Sequence, residues 1–532
     1  ADFIAVAEQI FNPDINPYEN AVGYGISGNG ISPHEQILYD RNRGVISEGI
    51  ARQRLDSLAA INNRSQINNL FYRPSILTTH TLSASGGKKG YSFYASGNYT
   101  GRQSNTPGEK DNRYKLNLRQ NFDVGNRINI DIITDLTYQN RFSPNNININ
   151  SRFLPYQLFR DANGNNIETS YMTELNDEVR SEFEQASLVD LSYTPLDELD
   201  LAYTKNMTKS MRNILGVDLD IFEGLKFQGT YSYTLNAVDN EEYTDHLAIA
   251  ERQELVEYTV VSSPGATPQY ILPNTGGKYA ARSSDVEAWT VRNQLSFGKD
   301  WNDRMHQLNI IAGHEAQQQM STTKLSQVRG YDDRLQSYEQ REYGTYAIPI
   351  GNFLGNVVKP NFFEFFPGYG GLSNLQPLIS ERYFGRNETT TRFISYYGNA
   401  AYTFNRKYTL NASIRADQSN LFGLDKSAQN RPVWSVGGKW NIGRESFFQS
   451  ADWLNSLALR ATYGITGNAP KPGDAASFDI LVPISSAFFP ETGLRISTPG
   501  NRKLSWERTA TTNLGIDYNI NGRITGSLDY YQ

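Results

Sequence analysis

Leu225–Leu235 reads LKFQGTYSYTL. Leu225, Phe227, Tyr231, Tyr233 and Leu235 take alternate positions, and Lys226, Gln228, Thr230, Ser232 and Thr234 stand between them. Successive side chains of a strand point to opposite faces, so the stretch predicts a strand with one apolar and one polar face. The same rhythm of strand, tight turn, strand and long loop repeats along the chain. Tight turns at one end and long loops at the other predict an all-β fold, an antiparallel up-and-down β-barrel standing in a membrane.

Outward from that strand, seven strand pairs are legible, fourteen strands in all. They are 77–85 with 91–101, 113–122 with 127–139, 210–220 with 225–236, 287–297 with 305–318, 392–404 with 408–417, 433–442 with 456–464, and 509–520 with 524–531. Asn521-Gly522, between the last two, is a strong two-residue hairpin signal. The pairs are joined by longer stretches at 102–112, 140–209, 237–286, 319–391, 418–432 and 465–508. Loops of this length are uncommon inside compact soluble domains; in a barrel they belong on the outer side, with the tight turns facing the periplasm. The first 70 residues differ: Asn12–Pro33 reads as loop, and Gly49–Asn63 as a short helix. The final stretch ITGSLDYYQ stops in mid-pattern without a following partner, as in a barrel pattern that is cut off.

Composition supports the same reading. Of the 532 residues, 38% are hydrophobic, below the ~45–50% usual for soluble domains. Mean hydropathy is -0.55. Disordered chains are also poor in apolar residues, but they lack aromatics, and this chain has 33 Tyr and 26 Phe. A barrel with a wet lumen accounts for both facts. No apolar run approaches the ~20 residues of a membrane helix. The opening ADFIAVAEQIFNPDINPYEN lacks the basic and apolar regions of a secretory leader, which reads as a mature or trimmed chain. Absence of cysteine removes disulfides, thiolate metal sites and cysteine nucleophiles. A net charge of -6 argues against a nucleic-acid partner.

No catalytic constellation is legible, so no enzyme activity, cofactor or metal site is expected. His34, His80, His246, His306 and His314 are scattered, and neither His34-Glu35 nor His314-Glu315 has the second histidine of a helical zinc site. Asp332-Asp333 and Glu241-Glu242 read as solvated loop charge that could also meet a cation or a glycan hydroxyl. Asp161-Ala162-Asn163-Gly164-Asn165 resembles half a calcium loop but lacks flanking helices and a twelfth-position glutamate, so an Asn-Gly turn is expected. Gly330–Gly371 is dense in aromatics. Tyr338, Tyr343, Tyr346, Phe362, Phe363, Phe366 and Tyr369 are the candidate contacts for a ligand or a covering protein, because exposed aromatics bury large area at low entropic cost. Packing among themselves to stiffen the loop is the alternative.

Four segments narrow the reading. They are TLSASGGKKGYSFYASGNYTGRQSN (81–105), YYGNAAYTFNRKYTLNASIRADQSNLFG (396–423) with WSVGGKWNIGRESFF (434–448) after it, LNSLALRATYGITGN (454–468), and WERTATTNLGID (506–517). In this order they resemble the SusC/RagA-type TonB-dependent outer-membrane transporters of Bacteroidetes. The most specific parts are Arg415-Ala416-Asp417-Gln418-Ser419 and Leu459-Arg460…Tyr463-Gly464…Thr466-Gly467-Asn468. The family usually carries Asp-Gly-Ser-Ser where this chain has Asp417-Gln418-Ser419-Asn420.

The resemblance implies a barrel of about 22 strands, of which residues 77–532 would supply the first two-thirds, incomplete at the C-terminus. Residues 1–76 would connect an absent plug to the barrel. It also implies import of an oligosaccharide or oligopeptide, a SusD-like surface lipoprotein as partner, and TonB acting through the plug. The family motifs carry the framework and not the ligand contacts. The alternative from a different class is a secreted or surface β-rich glycan-binding module or adhesin. Strand length separates the two, since sandwich strands average about 5–6 residues and tilted membrane strands need ~9–11.

Overall fold

The computed structural model describes residues 2–22, 31–145, 147, 153–173, 177–257, 259–260, 265–339, 347–349, 375–377, 384–423, 425, 431–448, 453–469, 477–486 and 489–532. Fourteen antiparallel strands follow one another in a single meander. They are β1 (Ile76–Lys88), β2 (Tyr91–Gln103), β3 (Lys110–Val124), β4 (Ile128–Pro144), β5 (Ala202–Phe222), β6 (Leu225–Thr244) and β7 (Gly277–Trp301). After them come β8 (His306–Asp332), β9 (Phe384–Phe404), β10 (Tyr408–Ser419), β11 (Val433–Trp440), β12 (Leu454–Thr466), β13 (Thr509–Ile520) and β14 (Ile524–Tyr531). Each pairs with its sequence neighbours.

Register turns the sequence rhythm into two continuous faces. Ile128 lies opposite Leu219, Leu219 opposite Phe227, Phe227 opposite Leu295 and Leu295 opposite Ala312. On the other face Asn117 meets Asp135, and Asp135 meets Arg212. The apolar face stays open: Leu295 is 45% exposed, Leu410 58% and Ile414 54%. A continuous apolar surface of this extent requires a lipid solvent. Among the described residues no helix is long and apolar enough to cross a membrane.

The tight turns gather at one end. Asn521 (φ 53°) and Gly522 (φ 66°) both take the left-handed conformation, in a turn of three residues rather than two, because Ile520 pairs with Ile524. Gly224 (φ 89°) closes the turn between β5 and β6, where an added Cβ would stand 2.4 Å from the Gly298 carbonyl oxygen. Asn521 and Gly522 were legible as a turn; the backbone crowding at Gly224 was not.

The strands run further toward the long-loop end than the pattern indicates. β7 begins at Gly277 rather than Glu287, and β8 reaches Asp332 rather than Gln318. The connection expected at 102–112 shrinks to 104–109. Beyond the lipid band neither face needs to be apolar, so alternation fades, while cross-strand backbone hydrogen bonds continue. Strands of up to 27 residues exceed what a soluble sandwich uses.

Residues 1–76 hold more helix than expected: α1 (Asp2–Ile10), α2 (Tyr18–Val22), α3 (Pro33–Asn42), α4 (Glu48–Ala59) and α5 (Arg64–Phe71). α2 falls inside the stretch read as loop. α3 starts with a capping box between Ser32 and Glu35 and with Pro33 in its first turn. The helices are short and weakly periodic; they hold because Ile4, Leu38 and Leu55 pack on Tyr156 of the β4–β5 connection. Tertiary burial of this kind outweighs local propensity. That connection also carries α6 (Asp177–Ser187), whose Phe183 packs with Leu191 and with Val256 of α7 (Ile249–Glu257). A helical layer therefore covers the long-loop end of the sheet. Ile480–Ser486 and Phe489–Thr498 form a further hairpin inside the connection read as loop.

Candidate functional site

The polar face is a lattice of paired side chains. On β10, Arg415 and Asp417 are two residues apart and so share a face. Arg415 Nε donates to Asp417 Oδ1 at 2.7 Å, its Nη2 donates to Ser395 Oγ at 2.8 Å, and it lies 3.5 Å from Glu315. Ser395 also donates to Asp417, and both are buried. The chain of contacts continues sideways. Arg292 Nε donates to Tyr397 Oη at 2.9 Å, Tyr397 Oη donates to Gln294 at 3.1 Å, and Gln294 donates to Gln228 at 3.0 Å. Gln228 in turn donates to Asp218 at 2.9 Å. Tyr397 lies between two guanidiniums, 5.3 Å from Arg292 and 5.8 Å from Arg415. Gly313 makes room for it: a Cβ there would stand 2.6 Å from Tyr397 Oη and 2.7 Å from a backbone carbonyl. This network links six adjacent strands, β5 to β10.

A second network joins the segments that carry the family resemblance. Arg460 of β12 meets Asp517 of β13 at 2.9 Å and Asp529 of β14 at 3.1 Å, and Lys439 of β11 reaches Asp517 at 3.3 Å. Gly515 leaves the space Arg460 occupies. Arg415, Asp417, Arg460 and Asp517 thus serve the wall of the lumen. The i, i+2 spacing of Arg415 and Asp417 was visible in the sequence; the partners of these residues on other strands were not.

The outer layer is fixed to the sheet by buried polar groups. Arg329 of β8 is 5% exposed and grips Glu254 of α7 in a fork, at 2.6 and 2.7 Å. Glu198 accepts from the Ile249 backbone N–H at the start of α7 at 2.8 Å, and burial pushes its carboxyl up. His34 Nδ1 lies 2.7 Å from Tyr156 Oη and 2.8 Å from Ser32 Oγ. Burial lowers the His34 imidazole against the opposing pull of Glu35, and pushes the Tyr156 phenol up to about 12. Phe71 of α5 meets Phe159 edge-on at 4.8 Å, and Leu196 completes that cluster.

Of the aromatics singled out in the sequence, Tyr338 is described. It is 52% exposed, in a short strand paired to the end of β8 opposite Tyr331. Tyr343, Tyr346, Phe362, Phe363, Phe366 and Tyr369 lie outside the described residues. The Asp161 segment is a tight turn: Asp161 Oδ1 accepts the Asn163 and Asn165 backbone N–H groups, each at 2.8 Å. The Asn165 side-chain amide, which donates to Asp161 Oδ2 at 3.0 Å, together with these backbone groups holds its carboxyl below the usual range. Asp332 caps the backbone of Arg334 and Leu335, and Glu242 accepts from Asn240. The histidines stay apart: His80 stacks near Tyr99, His246 sits beside Asp245, His306 bonds Tyr402 and His314 bonds Asn293. Among the described residues no three His, Asp or Glu groups converge on one metal position.

Comparison with known proteins places these features. The profile of the family described as TonB dependent receptor-like, beta-barrel, matches residues 257–532. TonB-dependent receptor P26 of Formosa agariphila is 30% identical over 270 residues, covering 50% of this chain and 23% of that protein. TonB-dependent receptor SusC of Bacteroides thetaiotaomicron is 33% identical over 150 residues, 27% of this chain and 15% of that protein. The solved RagAB peptide transporter shares the fold, with a TM-score of 0.61 at 18% identity over 87% of this chain and 45% of the solved one. The chain thus spans less than half of the solved chain, and its matches cover under a quarter of each of these two curated relatives.

Proposed function

The chain belongs to the TonB dependent receptor-like β-barrel family, of SusC/RagA type and of the outer membrane, and from that premise we propose that it forms the wall of an energised importer. Like its relatives it is a receptor barrel and not an enzyme. The observation that carries the proposal is the two-faced meander: an open apolar face for lipid, and a polar face of charge pairs for a wet passage. Paired Arg and Asp groups keep that face polar while offsetting part of its charge, so a polar cargo moves along it without being trapped by one strong site.

The cargo we propose is an oligosaccharide or an oligopeptide. Exposed Tyr338 and the aromatic-rich stretch after it suit stacking on either class. The partners we propose are a SusD-like surface lipoprotein over the helical layer, and TonB acting through a plug. No covalent step is involved; capture and a ligand-coupled conformational change do the work.

The test is uptake by cells whose full-length gene is deleted, with labelled oligosaccharides and oligopeptides of several lengths. Loss of uptake of one class on deletion, restored by the gene and abolished by proton-gradient uncoupling, is the expected result. A protein that partitions into buffer without detergent and shows no heat-modifiable migration overturns the proposal.

A further inference from the structure

A groove of about 810 Å³ lies on the apolar face near the tight turns, within the ~300–1,000 Å³ range of small-molecule sites. Its floor is formed where Gly438 of β11 lies opposite Ala461 of β12. Leu410 and Tyr408 rise on one side, and Leu514, Leu528 and Tyr530 on the other. These walls are open: Leu410 is 58% exposed and Leu528 69%.

Gly438 has no structural reason to be glycine. Its φ is not positive, and an added Cβ would meet nothing nearer than the Thr409 carbonyl oxygen, at 3.9 Å. Its neighbour Gly437, on the polar face, is tight, with Asn411 and Thr462 at 2.6 and 2.7 Å. What the missing side chain at Gly438 provides is the depth of the groove.

The lower end of the groove meets two turns held together by Asn441. Its backbone N–H donates to the Lys407 carbonyl oxygen at 2.8 Å, its Nδ2 donates to the Arg406 carbonyl oxygen at 3.0 Å, and its own carbonyl accepts from Arg444. Lys407 is neutralised by Glu445 at 2.8 Å. Arg406 and Arg444 are exposed and make no ion pair among the described residues. Tyr408 starts its strand directly after Lys407, and Leu528 stands four residues above the start of β14, so the groove climbs about 10 Å into the lipid from the periplasmic side.

We propose that this groove is a binding site for a phospholipid of the periplasmic leaflet. One acyl chain lies on Gly438 and Ala461 between the apolar walls, and the phosphate meets Arg406 and Arg444. Apolar burial supplies the affinity and the guanidinium pair selects a phosphate head group over an uncharged one.

Native mass spectrometry of the full-length protein in detergent, titrated with dioleoylphosphatidylglycerol and with dioleoylglycerol, tests it. The unmodified protein is expected to retain the phosphatidylglycerol in preference to the uncharged lipid. Gly438→Phe fills the floor without backbone strain and is expected to weaken retention by roughly tenfold, the equivalent of about two methylenes losing their burial. Arg406→Ser with Arg444→Ser, both in turns, is expected to abolish the preference between the two lipids, and it remains informative if Gly438→Phe does not fold. Equal retention by the unmodified protein and both variants overturns the proposal. So does a Gly438→Phe variant that loses a second copy of the protein instead of a lipid, because the groove is then a contact between barrels.

Discussion

At the scale of single residues, the polar face depends on charges that hold one another in place. Asp417 is 6% exposed and relies on Arg415 and Ser395. Arg415→Ala leaves that carboxylate without its cation. We expect a loss of about 1–2 kcal/mol, below the cost for a fully buried pair because Arg415 is partly solvated. Adding Asp417→Asn removes the stranded charge and should recover part of the loss. The temperature at which the folded gel band converts to the unfolded one measures both. His34 gives a pH dependence. Its docked imidazole is kept neutral by burial, while an undocked histidine titrates near 6.5. Below that value the undocked state takes up the proton first, so docking of the N-terminal helices weakens as pH falls from 7.5 toward 5. Protease protection of residues 2–71 should drop over this interval in the unmodified protein and stay level in His34→Gln.

At the scale of elements, strands and helices were unequally legible. All seven strand pairs stood in the sequence, because one lipid face and one wet face impose a period of two on each strand. The outer extensions of β7 and β8 did not, since nothing beyond the lipid enforces that period. The N-terminal helices were mostly missed because their apolar stripe is completed from another part of the chain. Phe159 shows the consequence. It is fully buried against Phe71 and Leu196, although it lies in a connection whose sequence reads as loop. Phe159→Ala should cost about 3–5 kcal/mol of local stability. Hydrogen exchange is expected to show α5 and the 153–173 segment opening together while β1–β14 stay protected. Unchanged exchange in α5 would mean that the helices dock without this cluster.

At the scale of the whole molecule, the sheet and its helical cover divide the work. In the proposed importer the sheet would line the passage, and the outer layer, held by the Arg329–Glu254 fork and the His34–Tyr156 contact, would form a folded surface over the long-loop end. Replacing Tyr338, Tyr343, Phe362 and Phe366 together by alanine is expected to weaken binding of the proposed cargo or of the proposed covering lipoprotein by at least tenfold, as loss of even one aromatic anchor implies. Uptake and co-purification read the two outcomes separately. If neither changes, these aromatics only stiffen their own loop.

The sequence by itself determined the class of fold, the pairing of strands and the membrane as solvent. These follow from local periodicity, which each strand carries within its own residues. The family followed from the ordered segments. Tertiary structure alone decided what lies across from what: Arg460 against Asp517 and Asp529, Tyr397 between two arginines, Tyr156 under the N-terminal helices, and Gly438 as the floor of a groove. Each joins residues far apart in the chain or depends on space left by a neighbour. Strand register and helix docking create these relations, and no local pattern encodes them.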